Sequence, residues 1–140
     1  MDLETVSAEG FGRSLTGVGL NLLTRDTRAL AAFLTETFGL TAHRLSDDFA
    51  ILRHDDALIQ LHADGTYAGH PLPQLIPENP PRGGGAQIYP FGIDPDQAVN
   101  RAEVGGYHIL EPPTDKPHGL REATILSPDG YAFSPAVPHG

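Results

Sequence analysis

Two stretches of this chain carry the same succession of hydrophobic and polar positions. In the first, Leu20-Asn21-Leu22-Leu23-Thr24 closes a strand-like run over 16–24 and gives way to a polar Arg25-Asp26 step. Beyond it Leu30, Phe33, Leu34 and Phe38 recur at i, i+3, i+4 and i+8, one face of a 3.6-residue period, so a helix is expected through Phe38. Asp26 suits the N-cap because its carboxylate accepts from the free N–H groups of the first turn, and Gly39 suits the positive φ of a C-cap. Short strands are expected at 41–45, 49–53 and 57–62, with Asp55-Asp56 turning the last two into a hairpin.

The second series opens after Gly83-Gly84-Gly85. A strand over 86–93, a helix from Pro95 to Val104 behind an Asp94 cap, a stop at Gly105-Gly106 and strands near 107–110, 121–126 and 131–134 repeat the first order. Pro90 removes a ladder donor and marks a bulge or an edge. Prolines 71, 73, 77, 80 and 81 between the two series exclude a helix or a central strand and leave a long crossing loop over 63–84. Residues 1–14 show no period and read as a flexible N-terminal arm. The organisation expected is a single domain over 15–138, made of module 1 (15–62), the crossing loop and module 2 (85–138).

At 140 residues the chain buries on the order of 70% of its unfolded surface, so the two modules share a core. Nine basic against eighteen acidic residues, a formal charge of −9, leave no Lys/Arg stripe for a phosphate backbone and argue against nucleic acid. The absence of cysteine excludes disulfides, thiolate nucleophiles and Cys-ligated zinc. No apolar run approaches the roughly 20 residues of a membrane span, and the acidic N-terminus does not read as a signal peptide, so the expectation is a cytoplasmic protein with no membrane partner.

The repeated strand–helix–three-strand order, with Leu22-Leu23-Thr24-Arg25-Asp26 before the first helix, Phe38-Gly39-Leu40 after it, Gly83-Gly84-Gly85, and Ser127-Pro128-Asp129-Gly130-Tyr131 before the last strand, resembles the vicinal oxygen chelate superfamily. Glyoxalase I, extradiol dioxygenases, fosfomycin-resistance transferases and bleomycin-resistance binding proteins are its members. The resemblance implies an α+β fold of two βαβββ modules forming a curved mixed sheet around a cleft, commonly paired as a homodimer. Metal-dependent members hold a divalent ion with up to four side chains, and that pattern falls here on Gly19, Gln60, Gln87 and Ser134. Glycine has no donor atom, and amide or hydroxyl oxygens are poor partners for zinc, nickel or iron, so neither metal nor other cofactor is expected.

Residues two apart on a strand share a face. If the four positions point into the cleft, so do Asn21, Leu23, Leu58, His62, Tyr89 and Ala132. The expected ligand-binding set is Asn21, Gln60, His62, Gln87, Tyr89 and Ser134, a neutral hydrogen-bonding lining suited to a planar organic guest. His108 and Glu122 lie in strands of open register and receive no role. Two functions follow. One is a metal-independent small-molecule binding protein that sequesters an aromatic or cationic compound. The other is an enzyme of the lyase, isomerase or dioxygenase type, with a displaced metal site or with His62 as catalytic acid/base and Gln60 or Gln87 polarising a carbonyl.

Overall fold

A computed structural model describes residues 1–79 and 81–140; Pro80, one of the crossing-loop prolines, lies outside the described residues. The elements in chain order are α1 (Ala8–Ser14), β1 (Leu20–Thr24), α2 (Thr27–Phe38), β2 (Thr41–His43), β3 (Phe49–His54), β4 (Ala57–Ala63), β5 (Gln87–Ile88), α3 (Pro95–Val104), β6 (His108–Asp115), β7 (Leu120–Leu126), β8 (Ala132–Phe133) and β9 (Ala136–Pro138), with two 3₁₀ turns in the crossing segment. The first module forms a sheet in the order β1-β4-β3-β2 and the second a sheet in the order β5-β8-β7-β6, with β9 added to β7. In each, the first strand runs parallel to the last strand of its βαβββ unit.

Local chemistry places the helices. The Asp26 carboxylate accepts from Ala29 N–H at 3.0 Å, and Gly39, at φ 72°, closes α2 with its N–H on the last-turn carbonyls. Asp94 caps α3 by accepting from Asp96 N–H at 2.9 Å, with Pro95 in the first turn.

The α2 face made by Leu30, Phe33, Leu34 and Phe38 is buried, and it joins Leu22, Ala50, Leu52 and Leu61 of the first sheet to Ala98, Ala102, Ala123, Ile125 and Phe133 of the second module in one core. Phe133 meets Phe33 and Phe38 at ring separations of 5.7 Å each, so α2 packs against both sheets. Full burial of a side chain such as Leu30 or Phe33 contributes roughly 1.5–3 kcal/mol. Because both sheets turn these residues toward one core, their opposite faces turn away from it.

The structure departs from the expected boundaries where backbone chemistry outweighs pattern. The first strand starts at Leu20 rather than at residue 16, behind Gly17 at φ 70°. The strand expected over 86–93 is two residues long because Pro90 interrupts the ladder, and Phe91 rejoins it as a single bridge to Ala136. The strand near 107–110 extends to Asp115 despite Pro112 and Pro113, because β6 is an edge strand whose register shifts twice around them. The segment expected as a flexible arm contains α1, capped by Ser7 and burying Phe11. Arg44 ties the N-terminus down: its side chain donates to Leu3 O at 2.7 Å and to Val6 O, and its N–H donates to Glu4 at 3.0 Å.

The crossing segment is fastened to the Pro128-Asp129-Gly130 turn. Arg82 N–H donates to Asp129 O at 3.0 Å and Gly83 N–H to Gly130 O at 3.3 Å. A Cβ on Gly83 would meet the Tyr131 ring at 2.8 Å, and one on Gly130, at φ 86°, would meet Pro81 Cα at 2.4 Å. Buried Arg82 forms a bidentate pair with Asp64 at 2.7 Å on both oxygens, and its hydrogen bonds hold the Asp64 carboxyl below the usual carboxylate range. No helix among the described residues is long and apolar enough to cross a membrane.

Candidate functional site

The outer face of the first sheet carries Asn21, Leu23, Phe49, Ile51, Leu58, Gln60 and His62, since their strand neighbours Leu22, Ala50, Ile59 and Leu61 face α2. Asn21 pairs with Gln60 across the parallel β1/β4 ladder and lies diagonal to His62, whose Nδ1–H donates to Asn21 Oδ1 at 2.6 Å. Asn21 Nδ2 in turn donates to the Tyr67 hydroxyl at 2.8 Å. This arrangement leaves Nε2 as the basic nitrogen. The imidazole packs against Phe49 at 4.8 Å and Tyr67 at 5.3 Å, and burial pushes its pKa below the usual histidine value. A cavity of about 370 Å³ lies over His62 and Gln60, roofed by Ala8, Phe11 and Gly12 of α1.

The outer face of the second sheet carries Gln87, Tyr89, Glu122, Thr124, Leu126, Ala132 and Ser134, because Ile88, Ala123, Ile125 and Phe133 face the core. Gln87 Nε2 donates to Ser134 Oγ at 2.8 Å, and Ser134 Oγ shares a hydrogen bond with Thr124 Oγ1 at 2.8 Å. The hollow in front of Gln87 and Thr124 measures about 720 Å³, with Lys116 and Glu111 paired at 2.7 Å on its rim. Tyr89 stands between this hollow and a third cavity of about 580 Å³, which runs between the modules past Gly19, Leu58 and Gln60. Burial, followed by the hydrogen bond and then the field of the Glu122 carboxylate, raises the Tyr89 phenol above its ordinary pKa. Its ring stacks on Phe91 at 5.1 Å and 8°.

Of the six residues expected in one lining, the structure brings Asn21 to His62, Gln87 to Ser134, and Gln60 and Tyr89 to the cavity between the modules. None of the three cavities holds both His62 and Gln87. Glu122 and Thr124 were not assigned from sequence. The signal was present in Leu120-Arg121-Glu122-Ala123-Thr124-Ile125: once Ala123 and Ile125 are taken as core, period 2 puts Glu122 and Thr124 on the hollow's side.

A model of the Glyoxalase/Bleomycin resistance protein/Dioxygenase superfamily matches residues 18–134. The chain belongs to that superfamily. Solved structures with the same fold include a glyoxalase/bleomycin resistance protein/dioxygenase family enzyme from Burkholderia phytofirmans PsJN, with TM-score 0.70 and 23% identity over 86% of this chain and 96% of that one. Hypothetical protein SA1046 from S. aureus aligns with TM-score 0.71 and 19% identity, covering 91% and 97%. A glyoxalase/bleomycin resistance protein/dioxygenase from Nocardioides gives 0.64 and 21%, covering 91% and 89%. No curated protein matches the sequence.

The metal that many superfamily members use does not fit the residues this member offers. Gly19 has no donor atom, and Ser134 is fully buried with its oxygen held between Gln87 and Thr124. Two amides and an engaged hydroxyl lack the imidazole or carboxylate that zinc, nickel or iron prefers. Among the described residues, no three His, Asp or Glu side chains are grouped to share an ion.

Proposed function

We propose that this superfamily member is a metal-independent small-molecule binding protein that sequesters an aromatic or cationic organic compound. The observation that carries the reading is the run Gln87–Ser134–Thr124. Where the family resemblance puts a metal-ligating side chain, this chain has a fully buried hydroxyl whose neighbours are both engaged. Its partners Gln87 and Thr124 line a hollow of about 720 Å³, and one of about 580 Å³ runs between the modules, both within the roughly 300–1,000 Å³ typical of organic-ligand pockets. The lining mixes amides, a phenol and aliphatic side chains, which can orient a planar guest by hydrogen bonds and stacking.

The partner in this reading is a second copy of the chain. Both outer sheet faces turn away from the shared core, and two chains related by a two-fold axis would close a half-hollow of one against a half-hollow of the other. Light scattering at micromolar concentration is expected to give the mass of a homodimer; a monomeric mass would contradict the pairing.

The binding function is tested by thermal-shift screening of chelator-treated full-length protein against aromatic metabolites and cationic antibiotics. A true ligand present at 100 times its dissociation constant stabilises the fold by about 2.7 kcal/mol, so a saturable rise in melting temperature is expected. A flat response across the panel would overturn the reading.

The Asn21–His62 pair favours one second reading, acid/base catalysis by His62 on a carbonyl compound polarised by Gln60. Its oriented imidazole, kept neutral by burial, borders the cavity that Gln60 shares. Deuterium incorporation next to the carbonyl of a screened ketone or aldehyde, lost in His62→Gln, would support it; exchange no faster than in buffer would exclude it.

A further inference from the structure

We propose that Glu122 anchors an organic ammonium or amidinium group, which makes the hollow of the second sheet a site for protonated amines. This deepens the binding function above and rests on it. Glu122 lies on β7 with only 4% of its surface exposed, and its Oε2 is buried with no hydrogen-bond partner among the described residues. The hollow of about 720 Å³ opens directly onto this side chain.

Two donors stand near the carboxylate without closing on its buried Oε2: the Tyr89 hydroxyl, whose pKa is raised by burial and then by its approach to Glu122, and the Lys116 ammonium on the rim. His118 Nε2 stands 3.5 Å from Oε1. The Lys116 ammonium is held by Glu111 at 2.7 Å, and that bond raises its pKa further. Thr124, one strand step away, is engaged with Ser134. Glu111 and Lys116 pair with each other on the rim, so Glu122 brings a further carboxylate to the hollow, with the His118 ring beside its Oε1.

A carboxylate withdrawn from water without a donor is unfavourable, and a cation bearing N–H groups compensates it in both charge and hydrogen bonding. A divalent metal is disfavoured, since of the hollow's two carboxylates Glu111 is already held by Lys116 and no third His, Asp or Glu joins them among the described residues. An organic cation fits better. The Tyr89 ring, backed by Phe91, offers it a flat aromatic wall for cation–π contact, and Leu110 and Leu126 offer apolar surface for its body.

Titration calorimetry on the full chain at low ionic strength, with phenethylammonium and benzamidinium against the neutral phenethyl alcohol and benzamide, tests the assignment. The cations are expected to bind about 10-fold or more tightly than the neutral probes, because a hydrogen bond to a charged group is what differs. Glu122→Gln should abolish that preference and Glu122→Asp should keep it. In wild-type protein, amide NMR shifts should map to Gln87, Lys116 and Thr124, a readout that needs no variant.

Equal binding of charged and neutral probes, a preference surviving in Glu122→Gln, or shifts confined to the first sheet would each overturn the proposal. If the amines fail while neutral compounds from the thermal screen still bind, the ammonium site falls and the binding function stands. If nothing binds, both fall.

Discussion

Glu122 and Asp129 are both buried carboxylates, and their surroundings set opposite consequences for stability. Asp129 accepts from Thr24 Oγ1 and, at 3.3 Å, from Arg25 N–H, and its Oδ1 lies 3.9 Å from Arg82 Nε, so it joins the crossing segment to the start of α2. Asp129→Ala should lower unfolding free energy by about 1–3 kcal/mol, measured by urea denaturation, since it removes the acceptor of Thr24 Oγ1 and Arg25 N–H while Arg82 keeps its pair with Asp64. Glu122→Gln should instead leave the stability of the ligand-free protein unchanged or raise it by up to roughly 1 kcal/mol, because a buried carboxylate with one unpartnered oxygen is exchanged for a neutral amide. A binding residue that costs stability in the free protein is a recognised trade-off.

His62 makes the third case at this scale. Burial lowers its folded-state pKa below the unfolded value, so the unfolded chain takes up the proton first as pH falls. The stability tied to neutral His62 is complete above about pH 6.5 and is lost as pH drops toward the folded pKa. Urea midpoints measured across that window should fall for wild type and stay flatter in His62→Gln.

At the scale of elements, most helices and strands were legible because their signals are local: an apolar period, an Asp cap, a Gly stop. α1 was not, since Gly10 and Gly12 lower its helix propensity and Phe11 is its only buried residue, leaving no period to detect. It is held by the burial of Phe11, by the Ser7 cap and by Arg44, which fastens the residues just before it. Deleting residues 1–14 should therefore destabilise the fold and increase binding of a hydrophobic dye, by uncovering Phe49, Ile51 and His62; unchanged dye binding would mean that α1 does not cover that face. Gly130 is where the Pro-Asp-Gly motif acquires its physical reason. Gly130→Ala combines a left-handed backbone with a Cβ 2.4 Å from Pro81 Cα, and should cost at least about 1–3 kcal/mol by urea denaturation.

At the scale of the molecule, the duplication was legible as a repeated order of elements, and strand parity gave which residues share a face. The convergence of the six lining residues was not legible, because parity says nothing about how one sheet is turned relative to another. Phe133 against Phe33 and Phe38 decides that point: both sheets close on the helices, which sends the Asn21–His62 pair and the Gln87–Ser134 pair to separate outer faces.

In the proposed function the superfamily's metal position is part of an organic-ligand hollow. Elemental analysis of protein purified without chelator and equilibrated with zinc, nickel, manganese and ferrous iron tests it most directly. Far less than one retained ion per chain is expected, with the thermal response to an organic ligand unchanged by EDTA. One tightly held ion per chain, lost on substitution of Gln60 or Gln87, would contradict it.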